Sequence, residues 1–211
     1  MINKHISDEL LAAFMEGNVN KEEMTQVLNA AVTDSEIREA LSISLLLDEQ
    51  EIPALQIAAE GGRNLCDVEC EAYVLNKLGI QTTVEELFEV AKEKRWLRRA
   101  GTPLFRIGNL LEYKGLDVFR IFDATTDDIT TALNKHNGII VAVDSDKLYP
   151  GRLDEEDATN HAIVITGINT DKNTITIFDP ENTAPIDIEL PLFISAWHES
   201  KCYLVTAKKK F

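Results

Sequence analysis

With 211 residues, 45% of them apolar, the chain has room for one domain of ordinary size plus a small second one, and its apolar content excludes disorder as the default state. A formal charge of −15 disfavours nucleic acid and an anionic membrane surface, because both require a basic face. The N-terminal residues lack the apolar core and cleavage site of a signal peptide, and no apolar run approaches the roughly 20 residues of a bilayer span, so the expected location is the cytoplasm. Three cysteines, an odd number, fit reduced thiols better than a disulfide framework.

Three short amphipathic helices are predicted first. Residues 7–16 form one, with Ser7 as N-cap and Gly17-Asn18 as its stop. Asn20-Lys-Glu-Glu23 is a capping-box-like start for a second, whose Met24, Val27, Leu28 and Ala31 follow the 3.6 period. Thr33-Asp-Ser-Glu36 opens a third, through Ile37, Leu41 and Leu45 towards Gln50. Residues 1–50 are therefore read as a small three-helix module, 51–62 as a linker marked by Pro53 and Gly61-Gly62, and 63–211 as the main domain.

In the main domain helix patterning begins at Cys70 and stops at Gly79. Thr83 caps the next helix, and Pro103 opens another that carries Leu104, Ile107, Leu110 and Leu111. The period then changes to two. Strands are predicted at 117–122, 138–143, 161–168, 174–178, 186–190 and 202–207, with helices after Thr125 and at 191–198 and a polar, acidic loop at 145–160. Residues 169–173 read as a hairpin turn. Helices followed by a mostly antiparallel sheet make an α+β fold.

The chemistry-bearing residues are Asn64, Cys70, His161 and Asp179. A thiol at a helix N-terminus, an imidazole on one strand and a carboxylate on its neighbour supply a nucleophile, a base and an orienting group. Asn64, six residues before Cys70, is placed to donate its amide to an oxyanion.

The order and spacing of these four resemble papain-fold cysteine peptidases, in particular the bacterial group related to double-glycine leader peptidases, over about residues 60–207. The resemblance implies a papain-like fold, with Cys70 as nucleophile, His161 as general base, Asp179 of Asp179-Pro180 as orienter and Asn64 as oxyanion donor. It also implies a peptide or protein substrate and no metal or cofactor. Two positions depart from that pattern: Asn64 stands where the family has Gln, and Glu71 where it has Gly directly after the cysteine. Asn is one methylene shorter, and losing an oxyanion donor costs on the order of 10²–10³ in rate. Asp67, Glu69 and Glu71 also surround Cys70 with negative charge, which disfavours a thiolate. Residues 1–50 resemble the helical segment of bacterial anti-sigma-type proteins, in Leu-Leu-Ala-Ala-Phe-Met-Glu-Gly-Asn and the Glu-Glu helix after it, and would be a docking site for a protein partner. The cysteine and histidine cluster of the zinc-binding versions is absent before Cys66.

Each residue also has a plainer reading: Cys70 as a small buried hydrophobe, His161 as an edge histidine, Asp179-Pro180 as a strand exit, His136 and His198 as surface residues and Cys202 as core. Cys66 is a competing thiol whose spacing to Asn64 fits poorly. Cys66, Cys70, His161 and Asp179 would also make a ligand set acceptable to zinc, although Cys-x₃-Cys is not the usual spacing of a thiolate pair. The runner-up function is a weak or inactive relative that binds peptides in the old cleft.

Overall fold

A computed structural model describes residues 6–15, 21–34, 36–41, 65–97, 101–149, 161–182 and 184–210. The chain divides into two compact units, Met1–Glu60 and Gly61–Phe211. In the first, α1 (Asp8–Met15) packs on α2 (Lys21–Thr33). Ser7 caps α1 as its sequence position predicts, with Oγ accepting the Leu10 N–H at 3.2 Å. After α2, Arg38 donates to the carbonyls of Ala31 and Val32 at 3.0 and 3.1 Å, filling acceptors that a helix C-terminus leaves open. Within Thr33-Asp-Ser-Glu36 it is Asp34 that caps the helical stretch 36–41, accepting the Glu36 N–H at 2.9 Å. The extension of that helix to Gln50 and the predicted linker lie outside the described residues.

The second unit begins with α3 (Cys66–Lys77), then α4 (Val84–Glu93), a 3₁₀ turn (Leu104–Arg106) and α5 (Asn109–Tyr113). Strand β1 (Leu116–Ile121), α6 (Thr126–Asn134), β2 (Gly138–Val143) and α7 (Ser145–Leu148) follow. β3 (His161–Asn169), β4 (Thr174–Phe178), β5 (Ile186–Glu189), α8 (Leu190–His198) and β6 (Leu204–Lys209) complete it. The six strands form one sheet in the order β1-β6-β2-β3-β4-β5, every neighbouring pair antiparallel. This is the α+β arrangement that the change of hydrophobic period predicts.

Two of the boundaries that differ from the sequence reading matter for the site. Helix α3 starts at Cys66, one turn before the predicted Cys70, because Val68 is fully buried and extends the packed face towards the N-terminus. The single helix expected after Pro103 is broken into the 3₁₀ turn and α5. Gly108 between them has φ +90°, and a Cβ there would lie 2.9 Å from Val205 Cγ1, so the chain can turn only with glycine.

Strand β2 is buried at all six positions, and its two faces explain the layering. Ile139, Val141 and Val143 point into a core shared with Ile129 and Ala132 of α6 and Phe193, Ala196 and Trp197 of α8. The alternate residues face α3, which packs on β2 and β3. Gly138 lies on that second face, and an added Cβ would come within 2.2 Å of Val74 Cγ1. Gly138→Ala is expected to destabilise the fold by about 2 kcal/mol or more, and Val74→Ala in the same chain to return part of that loss, as read from urea midpoints. Equal losses in the single and double variants would show that the close approach is not the cause.

Candidate active site

His161 is the first residue of β3, and Asp179 follows the last residue of β4, its antiparallel neighbour. Val164 pairs with Phe178, so continuing the register sets Asp179 across from Ile163, two residues from His161, a diagonal that these side chains span. His161 Nε2 and Asp179 Oδ1 are 2.9 Å apart, and both residues are buried. The backbone N–H of Glu181 donates to the same Asp179 oxygen at 2.9 Å, while the Tyr149 hydroxyl donates to Oδ2. Burial pushes the Asp179 carboxyl up, but the His161 contact, the Tyr149 hydroxyl and the Glu181 N–H outweigh it and hold the group below its ordinary range.

Of the three thiols, Cys66 is the one whose hydrogen bonding and charge act on the imidazole. Burial lowers the proton affinity of His161, but its hydrogen bonds and charge interactions with Asp179 and Cys66 dominate and raise its pKa to about 10. With Nε2 engaged by Asp179, the other ring nitrogen, Nδ1, is left for the thiol. Cys66 is the first residue of α3 and is partly exposed. Leu65 provides no side-chain cap there, so the first-turn N–H groups and the positive end of the helix dipole remain available to an anion.

Cys70 lies one turn further on, fully buried, and its Sγ–H donates to the Ala162 carbonyl at 3.3 Å. Burial, followed by the charges of Cys66, Asp67, Asp179 and Glu69, pushes this thiol well above its usual range. The structure therefore brings His161 and Asp179 together but places Cys70 in the helix–sheet packing, because the helix starts a turn earlier than its apolar run suggests. Asn64 lies outside the described residues. The feature that could have located the thiol was already visible: Asp67 and Glu69 are first-turn acids, a helix-start signal that points to Cys66.

The acidic residues play separate parts. Glu69 is partly buried beside the site; burial raises its pKa, with His161 acting against and Asp179 and Glu181 acting with that rise. Asp67 and Glu71, one turn apart on α3, form a second buried pair. Glu71 accepts the Gly108 and Leu111 N–H groups at 3.1 and 2.7 Å, which ties α3 to the turn entering α5. Asp67 Oδ1 takes no hydrogen bond among the described residues. Burial raises both carboxyls, Asp67 to about 6 and Glu71 well above its usual value, the second pushed further by the charge of Asp67. Arg120 stands nearby, donating to Ile107 O at 2.8 Å, Glu112 Oε1 at 2.7 Å and Asn109 Oδ1 at 3.0 Å.

Other singled-out residues fall elsewhere. His136 and His198 are exposed. Cys202 is half-buried in a left-handed turn before β6, not in the strand itself. Trp197 is core, its indole N–H donating to Tyr203 O at 2.8 Å. The zinc alternative finds no support: among the described residues no group of three or more His, Cys, Asp or Glu side chains is placed to hold a metal ion.

A family model, the Peptidase_C39 like family, matches residues 49–205. The chain belongs to that family. Solved structures similar to this C39-like chain include the peptidase domain of Streptococcus ComA, a bi-functional ABC transporter involved in a quorum sensing pathway, at 17% identity and TM-score 0.52, covering 72% of this chain and 96% of that one. Another is a Bacillus anthracis protein described as a C39-like peptidase, at 14% identity and TM-score 0.56, covering 75% and 95%. At these identities the likeness establishes the fold, which is the papain-like one. No curated protein matches the sequence. Among the described residues no helix is long and apolar enough to cross a membrane.

Proposed function

We propose that this chain is a cysteine peptidase acting on a peptide or protein substrate, with Cys66 in place of Cys70 as nucleophile, His161 as acid–base and Asp179 as the group that orients the imidazole. The observation that carries this reading is that Cys66, at the head of α3, interacts with the same imidazole whose Nε2 is held by Asp179. Cys66 Sγ, its proton passed to His161, attacks the scissile carbonyl carbon. The oxyanion that forms is met by first-turn N–H groups of α3, and His161 gives its proton to the leaving amine. An acyl-thioester remains; His161 then takes a proton from water, hydroxide adds to the thioester, and collapse releases the acid and restores the thiol.

Iodoacetamide labelling at pH 6.5, read by peptide mass spectrometry, tests this pairing. Cys66 is expected to react at least tenfold faster than Cys202 and far faster than buried Cys70, and His161→Ala to bring Cys66 down to the Cys202 rate. If Cys66 reacts no faster than Cys202 in the unsubstituted protein, the second reading takes over, a peptide-binding relative with a vestigial site. That alternative is motivated by the negative charge near the thiol, and by Glu60 occupying the position six residues before Cys66 where the family pattern carries an amide.

A further inference from the structure

Asp179 is a buried carboxylate with donors on both oxygens, and only one of those donors belongs to the proposed triad. The Tyr149 hydroxyl supplies Oδ2, leaving Oδ1 to His161 and the Glu181 N–H. Tyr149 is not on a loose segment. Asp144, buried at the end of β2, donates its N–H to Ala196 O at 3.1 Å, and its side chain accepts the Asp146 and Lys147 N–H groups at 2.9 and 3.3 Å. That cap starts α7, which delivers Tyr149 with its N–H on Ser145 O at 2.9 Å and its ring against the main core. Lys147 fastens the same turn to Glu199 at 2.6 Å. The hydroxyl therefore meets Asp179 from a hydrogen-bonded turn that follows the central strand. Asn182 Nδ2 reaches the Tyr149 oxygen at 3.5 Å from the other side.

We propose that Tyr149 is a positioning residue of this site: its hydroxyl clamps Oδ2 of Asp179, so that Oδ1 stays ionised and aimed at His161. This rests on the catalytic reading above. A carboxylate with one oxygen unpaired in a buried place is costly and rotates or takes up a proton; a fixed donor prevents both. The charged and titratable groups facing Asp179 are His161 from β3, Tyr149 after α7, Glu69 and Cys70 from α3, and its own neighbour Glu181. Of the side chains among them, Tyr149 and His161 donate hydrogen bonds to the carboxylate.

The test uses Tyr149→Phe in the full chain, with two readouts. Carbon-13 NMR of the Asp179 carboxyl, titrated from pH 8 to 3, is expected to show its midpoint raised by about two units, to above pH 5. Alkylation of Cys66 is expected to fall about three- to tenfold at pH 5 and to stay within twofold at pH 8, with Cys202 unaffected at both. An unchanged Asp179 midpoint overturns the proposal. So does an equal loss of Cys66 reactivity at both pH values, which marks a merely structural role, or a raised midpoint with Cys66 reactivity untouched. If Cys66 in the unsubstituted protein reacts no faster than Cys202, the peptidase reading fails separately, and the carboxyl midpoint alone decides whether Tyr149 clamps Asp179.

Discussion

Cys66→Ala is expected to lower peptide hydrolysis by on the order of 10⁴-fold or more, because a nucleophile that forms the acyl intermediate has no substitute in the site. Cys70→Ala is expected to leave turnover within about threefold. The two thiols sit one helical turn apart, but their surroundings differ in kind. Cys66 is partly open and acts on the imidazole, whereas Cys70 is sealed against β3 and donates to the Ala162 carbonyl. Removing that donor and a little packing volume costs about 1 kcal/mol, which a urea midpoint reads without any loss of fold. The assay is a pool of lysine-rich peptides run beside a glutamate-rich pool, since Glu69 and Glu181 give the neighbourhood of His161 a negative bias. Activity that survives Cys66→Ala and disappears with Cys70→Ala would sink the assignment.

The second large effect is on stability. As pH rises from about 4 the folded protein is expected to lose stability, on the order of a few kcal/mol, as the buried Asp67–Glu71 pair is forced to ionise. The sign follows from which state holds the proton. The folded-state pKa of about 6 lies above the ordinary 3.8, so within this window the native state binds more protons than the unfolded one. The contribution is fully present below 3.8 and lost as pH rises through 6. Burial is the cause, opposed by hydrogen bonds to Glu71 and Thr102 and by the charge of Arg120. His161 acts in the same direction at higher pH: its stabilisation is complete below 6.5 and is lost as pH rises through about 10. Asp179, held low, acts oppositely and is lost only below its ordinary range. Asp67→Asn keeps the shape and removes the titration, so its urea midpoint is expected to change less between pH 4 and pH 7 than that of the unsubstituted protein. Parallel curves for the two proteins would show that Asp67 is not the group responsible.

Most elements could be read because each is set by local chemistry. Ser7, Thr83 and Thr125 cap the helices they were expected to cap, and the capping box between Thr125 and Asp128 is complete. The continuous apolar run 138–143 is the fully buried β2, and Asn169 to Asn173 makes the turn between β3 and β4. The partnership of His161 with Asp179 was also within reach, since two consecutive antiparallel strands bring the start of one beside the end of the other.

What the sequence determined by itself is the α+β class, the family likeness and the pairing of His161 with Asp179, because these depend on period, capping and strand order. Which cysteine acts on the imidazole was decided only in three dimensions. Cys66 and Cys70 are on one face of one helix, and a start displaced by a single turn exchanges the exposed position for the sealed one. The acids around Cys70, read along the chain as one collar, are separated by the helix into a buried pair at Asp67 and Glu71 and a site-facing Glu69. Tyr149 left no mark in the sequence at all. Its role depends on a 30-residue separation from Asp179 closed by the packing of β2, β3 and β4, and distances of that kind are fixed by tertiary contacts, not by local pattern.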